Sequence, residues 1–557
     1  MKTILRMKGV AVKFGTTTIL AVLFLSFGLT ASPTGLRTLN RQLRIDILWD
    51  GDSHSENYYQ VQRGSSSEGP FDLLPEVANF PIYSDFLGEG GKTYYYRVRV
   101  ARREGEALYP ASEWSAPAAG TSRHFDRVAL LEEMQEASTR YVTIGSHPKS
   151  GLTCEWITTR SSYPGTPLRI RKLERKIGAS GATGMGITNY IVAVERGWMT
   201  RIEGARAVLH ALRFLDRKAE RFHGAFSHWI NNENGDAVSF SKFDDGADVA
   251  ETALLLQGIL IVREFFDADT SVETELRDVA NRIWGEVDWN HFRKDGENVL
   301  YWHWSPKYGW KMNMQVRGFI ELEMLYLLAI ASPTHPVPVS CFYDGWRWQH
   351  FGTERNYFET RLELGRGMGG CTFWYLYSYL GLDPKQMFYR GSSYHAHFSK
   401  LCRVQIAYMR SKAQKFKGYD RLWGLTAAPG PDGYTAFKPG PLDNGTISPL
   451  MPLSAYLYAP VESQKAMEVL YLEYGDKLWQ EFGFLHAFNL TRDWRYHRFL
   501  GIDHTTVAPM LENYRTGLLW RYFMNAPEIR EALSRIKTDP RWGNENKPAN
   551  SRSSQIR

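Results

Sequence analysis

From about residue 125 to residue 536, apolar side chains recur at i, i+3, i+4 and i+7, the spacing of helices with one buried face. The pattern predicts twelve helices, near 125–143, 183–197, 201–220, 247–266, 271–290, 314–331, 368–380, 394–415, 448–459, 462–478, 505–523 and 526–536. An open solenoid would show an internal repeat of fixed period, and none is present. Twelve helices in one mainly α body therefore predict six hairpins closed into an (α/α)6 barrel. Upstream the period changes to two. Leu43–Trp49 and Tyr94–Val100 alternate faces between turns rich in Gly, Ser, Asp and Pro, which predicts a small N-terminal antiparallel β-sandwich.

The first 32 residues carry Lys2, Arg6, Lys8 and Lys13, then the apolar run Ile19–Leu29, then Thr30, Ala31 and Ser32. This is the pattern of a secretory signal peptide. The run is shorter than the roughly 20 residues that span a bilayer. The expected organisation is a signal peptide at 1–32, the sandwich at 38–122, the barrel at 123–537 and a basic flexible tail at 538–557. The mature protein is expected to be periplasmic or secreted, without stable membrane insertion.

The 557 residues include 67 Lys and Arg against 60 Asp and Glu, a net charge of +7. Four of the basic residues lie in the leader, and the segment after Ile536 adds five bases against two acids. The remainder holds 58 of each sign, so no clustered excess exists to track nucleic-acid phosphates. Aromatic residues make up 14% of the chain, enough for a large core or for flat platforms that bind sugars. Cys154, Cys341, Cys371 and Cys402 are widely spaced and fit no zinc pattern. They are expected to be buried as small apolar residues.

Four stretches combine acids and aromatics. In the first, His228–Asn232 leads to Phe243–Thr252, where Asp244, Asp245, Asp248 and Glu251 crowd a helix start. Capping explains one or two of them; Asp244 and Asp248 would share a face if helical. The second holds Trp302, His303 and Trp304, then Glu321 and Glu323 at an apolar helix start. At i and i+2 these two glutamates point apart, and one facing inward would have the raised pKa of a general acid. The third contains Trp423, Tyr434 and Asp443–Pro449 in Gly- and Pro-rich loops suited to a cleft rim. In the fourth, His486 precedes Asp503 and His504, with Glu512 and Arg515 spaced for an ion pair. No nucleophile elbow, Walker loop, zinc-protease motif or dinucleotide fingerprint is present. Paired carboxylates beside aromatic loops favour glycoside hydrolysis. Another β-glucan glycosidase, a transglycosylase and a non-catalytic glycan-binding protein remain open on the residues alone.

Residues 38–122 resemble a fibronectin type III domain through Ile47–Trp49, Tyr59–Arg63, Gly69–Phe71, Tyr94–Val98 and Trp114–Pro117. The rest resembles the bacterial glucoamylase-like domain family that contains the endo-β-1,2-glucanases, glycoside hydrolase family 144. Val194–Gly197, Phe222–Ala225, Gly246–Thr252, Gly296–Pro306, Ser332–Pro336, Trp423–Thr426, Gly445–Pro449 and Glu512–Trp520 carry this resemblance. It implies an (α/α)6 barrel and inverting hydrolysis of β-1,2-glucan or derived gluco-oligosaccharides, without metal or other cofactor. It implies Glu321 as general acid and Asp503 as general base, acting on water through a substrate hydroxyl. Asp244 and Asp248 match sugar-binding acids. Trp229, Trp302, Trp304, Trp423, Tyr434, His486 and His504 are the further expected contacts to sugar. The chain departs from the family pattern at Cys371–Leu376, His486–Phe488 and His504–Thr506, all near the expected cleft.

Overall fold

A computed structural model describes residues 30–51, 57–104, 107–160, 174–348 and 351–546. Of the expected signal peptide, residues 1–29 lie outside the described residues, as does the end of the expected tail from 547.

The N-terminal part is a two-sheet sandwich. One sheet has the order β1-β2-β5, from Thr34–Arg41, Arg44–Asp50 and Ile82–Phe86. The other runs β4-β3-β6-β7, from Phe71–Leu73, Tyr58–Gly64, Thr93–Glu104 and Ala107–Pro110, with β8 (Ala118–Thr121) also paired to β6. Period-two alternation sends Ile45, Ile47 and Trp49 of β2 against Tyr59, Val61, Tyr96 and Val98. The opposite face of β2 carries Arg44 and Asp46, which are also fully buried. That face meets the barrel rather than water.

The join is a buried polar network. Arg44 donates from Nε to Asp46 (3.2 Å) and from Nη1 to Glu133 (2.8 Å), and lies 4.4 Å over the Trp479 ring. Arg140 donates to the other oxygen of Asp46 at 2.9 Å. Arg160 bridges Glu76 of the sandwich and Glu481 of the barrel, at 2.6 and 2.9 Å. Phe80 and Ile82 of the sandwich join the same apolar cluster as Leu130, Met134 and Phe482 of the barrel.

The larger part is the (α/α)6 barrel. Helices Ser180–Glu195, Val249–Phe265, Glu323–Ala331, Leu450–Ser454 and Gly501–Thr516 are buried on nearly every side. They form the inner ring, as helices that are apolar all round must. Arg201–Arg217 shows the outer type, burying Ala205, Val208, Leu209, Leu212 and Leu215 on one face. Inner helices 180–195 and 249–265 touch backbone to backbone. A Cβ on Gly258 would lie 1.9 Å from the Gly184 carbonyl oxygen, and one on Gly184 would lie 2.3 Å from the Leu254 oxygen.

Several expected elements differ. The helix expected at 314–331 starts only at Glu323, because Asn313 and Gly318 take positive φ and turn the chain. The helix expected at 368–380 is two 3-10 turns, Thr372–Tyr375 and Ser378–Leu380. Gly369 and Gly370, at φ 97° and 78°, block its first turn. The last inner helix starts at Gly501 and ends at left-handed Gly517, where Leu518–Asn525 begins. The expected flexible tail holds a helix, Pro540–Glu545, tied down by Glu545 to Arg347 at 2.6 Å. All four cysteines are free and buried. Among the described residues, no helix is long and apolar enough to cross a membrane.

Candidate active site

Glu321 sits two residues ahead of the Glu323–Ala331 helix, whose N-cap residue, Leu322, offers no side-chain cap. Ser378 takes that role from another segment: the Met324 amide donates to its hydroxyl (3.2 Å), which in turn donates to the Glu321 carbonyl. The Glu321 carboxyl is buried, and burial, with the charge of Asp248 added, pushes its pKa up to about 7. Glu323 is raised equally by burial, but accepts hydrogen bonds from Tyr379 (2.6 Å) and Tyr394 (3.4 Å) inside the core. Both glutamates of the pair are therefore buried. Glu321 shares an electrostatic field with Asp503, Tyr377, Tyr434 and Cys371, and Glu323 does not.

Asp503 occupies the first turn of Gly501–Thr516. It is not the cap, because Leu500 holds that position without a side-chain bond. Instead Tyr377 donates to its Oδ1 at 2.6 Å, and His486 Nε2 lies 3.4 Å from its Oδ2. Burial raises its pKa to about 7; the Tyr377 bond opposes the rise and the charge of Glu155 adds to it. Glu155 does not stand out in the sequence pattern. The Gly501 amide donates to its carbonyl at 2.8 Å, and Phe499–Leu500 pairs with Trp156–Ile157. Glu155 thus stands just ahead of a strand laced to the start of the Asp503 helix, and its pKa is also raised by burial. A lone acid between Cys154 and Trp156 was the signal available.

Asp244 and Asp248 do not share a helical face. Asp248 caps Val249–Phe265, its Oδ1 accepting the Ala250 and Glu251 amides at 3.0 Å each. Strand pairing sets Asp248 opposite His303. Its Oδ2 is 3.1 Å from His228 Nδ1 and 3.7 Å from His303 Nε2, which is 3.3 Å from Asp244. Burial opposes charge on His228, but Glu251, Asp248 and Glu155 raise its pKa to about 10. Burial likewise opposes charge on Asp248, but the His228 bond holds its pKa below the ordinary value. Ligand atoms of His228, Asp244 and Asp248 lie within 4.8 Å of one another, close enough to hold a cation. The neighbouring carboxylates raise the pKa of both His228 and His303, so the histidines offset part of the cluster's negative charge.

The aromatic contacts divide. Trp229 is half-buried and meets Trp156 and Phe240 edge-on at 5.1 and 4.8 Å. Phe240, also missed in the sequence, is 49% exposed and stacks on His228 at 4.2 Å. Trp302 stacks on His303 at 5.7 Å. Tyr434 is 66% exposed on the hairpin of Ala427–Gly430 and Gly433–Ala436. The protein around its hydroxyl, then the charges of Asp503 and Glu155, hold its proton on.

Trp304 is half-buried, like Trp302, and packs edge-on to His223 and His291, at 4.6 and 5.4 Å. Burial corrects two expected sugar contacts, Trp423 and His504. Trp423 is 2% exposed and belongs to the core. His504 is fully buried, stacked on Tyr141, with its ring nitrogens against the carbonyls of Leu500 and Phe484. His486 is also fully buried but faces Asp503. Glu512 pairs with Arg196 at 2.7 Å rather than with Arg515.

A family model described as putative glucoamylase matches residues 313–527, the span from the Glu321 loop through the Asp503 helix. A relative from Parabacteroides distasonis, an exo-β-1,2-glucooligosaccharide sophorohydrolase acting at the non-reducing end, is 34% identical over 520 residues. The match takes in 89% of this chain and 69% of the relative. The chain belongs to the glucoamylase-like family of the bacterial β-1,2-glucanases, glycoside hydrolase family 144. The crystal structure of a β-1,2-glucanase from Parabacteroides distasonis superposes with a TM-score of 0.83 at 33% identity. It covers 91% of this chain and 73% of that one. An endo-β-1,2-glucanase from Chitinophaga pinensis, in complex with sophorotriose and glucose, gives 0.70 at 34% identity, covering 74% and 98%. In this family 144 chain, the polar cluster, the two raised acids and the open aromatic rings of Phe240 and Tyr434 all lie on the loops and helix starts of the barrel.

Proposed function

We propose that the protein hydrolyses β-1,2-glucan or oligosaccharides derived from it, with inversion, using Glu321 as general acid and Asp503 as general base. One observation carries the reading: two buried carboxyl groups, Glu321 and Asp503, stand at inner helix starts around Tyr377 and Tyr434 in a barrel of family 144. Glu321 has no side-chain donor to favour its ionised form, which suits a group that must begin protonated. Asp503 accepts a bond from Tyr377, which suits one that must begin ionised.

In the forward step, Glu321 gives its proton to the glycosidic oxygen as the bond from that oxygen to the anomeric carbon breaks. Water attacks the opposite face of the sugar, and its proton passes through a substrate hydroxyl to Asp503. The ionised Asp248, with Asp244 beside it, supplies acceptors for sugar hydroxyls, and Trp229, Trp302 and Tyr434 supply faces for the rings. The leader-like N-terminus supports export, and the strand order β1-β2-β5 over β4-β3-β6 supports a fibronectin type III-like module.

A finer reading is the release of sophorose from chain ends. The match to the exo-acting relative extends over 89% of the chain and so takes in sandwich as well as barrel, whereas the endo-acting structure covers 74%, about the barrel's share. Incubation with linear β-1,2-glucan and separation of products tests both levels. Sophorose alone from the first minutes supports the exo reading, and a ladder of sizes supports endo cutting. No shortening of the glucan overturns the proposal.

A further inference from the structure

The proposed base is held at one oxygen and faced at the other by residues from two distant segments. Tyr377 reaches Oδ1 from the 3-10 strap between Thr372 and Leu380, 126 positions away in sequence. Its neighbour Ser378 braces the Glu321 carbonyl and the following helix start. The strap is anchored in turn: Gln257 donates to the Tyr377 carbonyl at 2.9 Å, and Asn513 donates to the Leu380 carbonyl at 2.8 Å. One short segment therefore sets the separation of the two proposed acids.

On the other side stands His486, fully buried, with neither ring nitrogen in a hydrogen bond. Burial, with the nearby His504, keeps it neutral. Such a group is costly to leave unpartnered in a core, yet its Nε2 points at Asp503 Oδ2 from 3.4 Å. When Asp503 carries a proton on Oδ2, a small closing of that gap lets Nε2 accept a hydrogen bond from it.

We propose that Tyr377 and His486 are the positioning residues of the base, Tyr377 pinning Oδ1 and His486 accepting a hydrogen bond from Oδ2 once it has taken the proton. The proposal rests on the reading of Asp503 as base. In the step, the O–H bond at the relaying hydroxyl breaks, the Oδ2–H bond forms, and that hydrogen turns to the Nε2 lone pair. His486 keeps its own proton on Nδ1 and changes no charge. The other groups near Asp503 are Glu155 just ahead of the paired strand, Tyr434 on the hairpin, Cys371 ahead of the strap and Glu321 itself, with His504 beside His486.

The two positioning residues act in opposite directions, which makes the test specific. A bond donated to the carboxylate favours its ionised form, and a bond accepted from the acid favours its protonated form. In kcat/KM profiles against pH on linear β-1,2-glucan, Tyr377→Phe should move the acid limb up by about one pH unit, and His486→Leu should move it down by about as much. Both should lower kcat roughly tenfold or more with little change in KM. In an Asp503→Asn background neither should cost further activity, because their target is gone. An unmoved limb in both variants, shifts of reversed sign, or full additivity with Asp503→Asn would overturn the proposal. Circular dichroism melts of each variant separate these outcomes from misfolding. If the wild type does not cleave the glucan, the function reading fails; if Asp503→Asn is inactive while the limbs stay put, only the positioning roles fail.

Discussion

At the scale of single residues, the site is a set of ionisable groups displaced from their ordinary behaviour by burial. Glu321 and Asp503 share a pKa of about 7, so the values alone do not assign acid and base. The proposed assignment leans on the hydrogen bond from Tyr377, which favours the ionised form of Asp503. With both groups near neutrality, kcat/KM should follow a narrow bell centred close to pH 7, its two limbs belonging to the pair. A broad plateau across acidic pH would contradict this. Glu321→Gln should lower kcat by about 10²- to 10⁴-fold. The same substitution should affect stability in a pH-dependent way. An acid raised in the folded state weakens folding as pH rises from its unfolded value to its folded one. Denaturant titrations should therefore show Glu321→Gln gaining on wild type between about pH 5 and pH 8, by about 2–3 kcal/mol. A difference that stays constant with pH would show that Glu321 ionises freely.

Sequence pattern reached this scale unevenly. The acids clustered at Asp244 and Asp248 stood out because they crowd one short stretch. The residues offered Glu321 only as one of a pair with Glu323 and Asp503 only as one acid of a polar stretch; their roles as acid and base came from resemblance to a family. Glu155 and Tyr377 were invisible because their importance comes from a neighbour more than a hundred residues away. Trp423 and His504 misled for the converse reason: loops rich in polar and aromatic groups can fold inward.

At the scale of elements, the inner ring depends on small residues at helix crossings. Gly184 and Gly258 let two apolar helices approach until backbone meets backbone. Helix periodicity located both helices but carried no measure of their separation. Gly258→Ala should cost about 1–3 kcal/mol or more by overpacking, although alanine is the better helix former. A neutral or stabilising outcome in chemical denaturation would show that the crossing has slack. The strap at 372–380 shows the reverse case. Its apolar pattern looks helical, but Gly369 and Gly370 turn the chain first, and the 3-10 turns after them brace Asp503 and Glu321 instead.

At the scale of the whole molecule, the sandwich and the barrel are joined by ionised groups that neither part could bury alone. Period-two alternation located β2, yet gave no hint that its polar face is dry. Asp46 is held far below the usual carboxylate range: burial opposes its charge, and Arg44, Arg140 and Arg41 overcome it. A depressed acid contributes stability above its unfolded pKa and loses it as pH falls. Asp46→Asn leaves Arg44 and Arg140 buried with only Glu133 and Glu136 to offset them and should cost about 3 kcal/mol at neutral pH, with the deficit shrinking below about pH 4. Calorimetry of the wild type should show one transition for both parts. Two well-separated transitions would mean that the sandwich hangs loosely on the barrel.

Inversion of a β-1,2-glucosidic bond between Glu321 and Asp503 is tested most directly by proton NMR of the first products from linear β-1,2-glucan. The new reducing ends should appear first as the α-anomer, with no products from Glu321→Gln or Asp503→Asn. A β-anomer first, or intact glucan with wild-type protein, would contradict this mechanism.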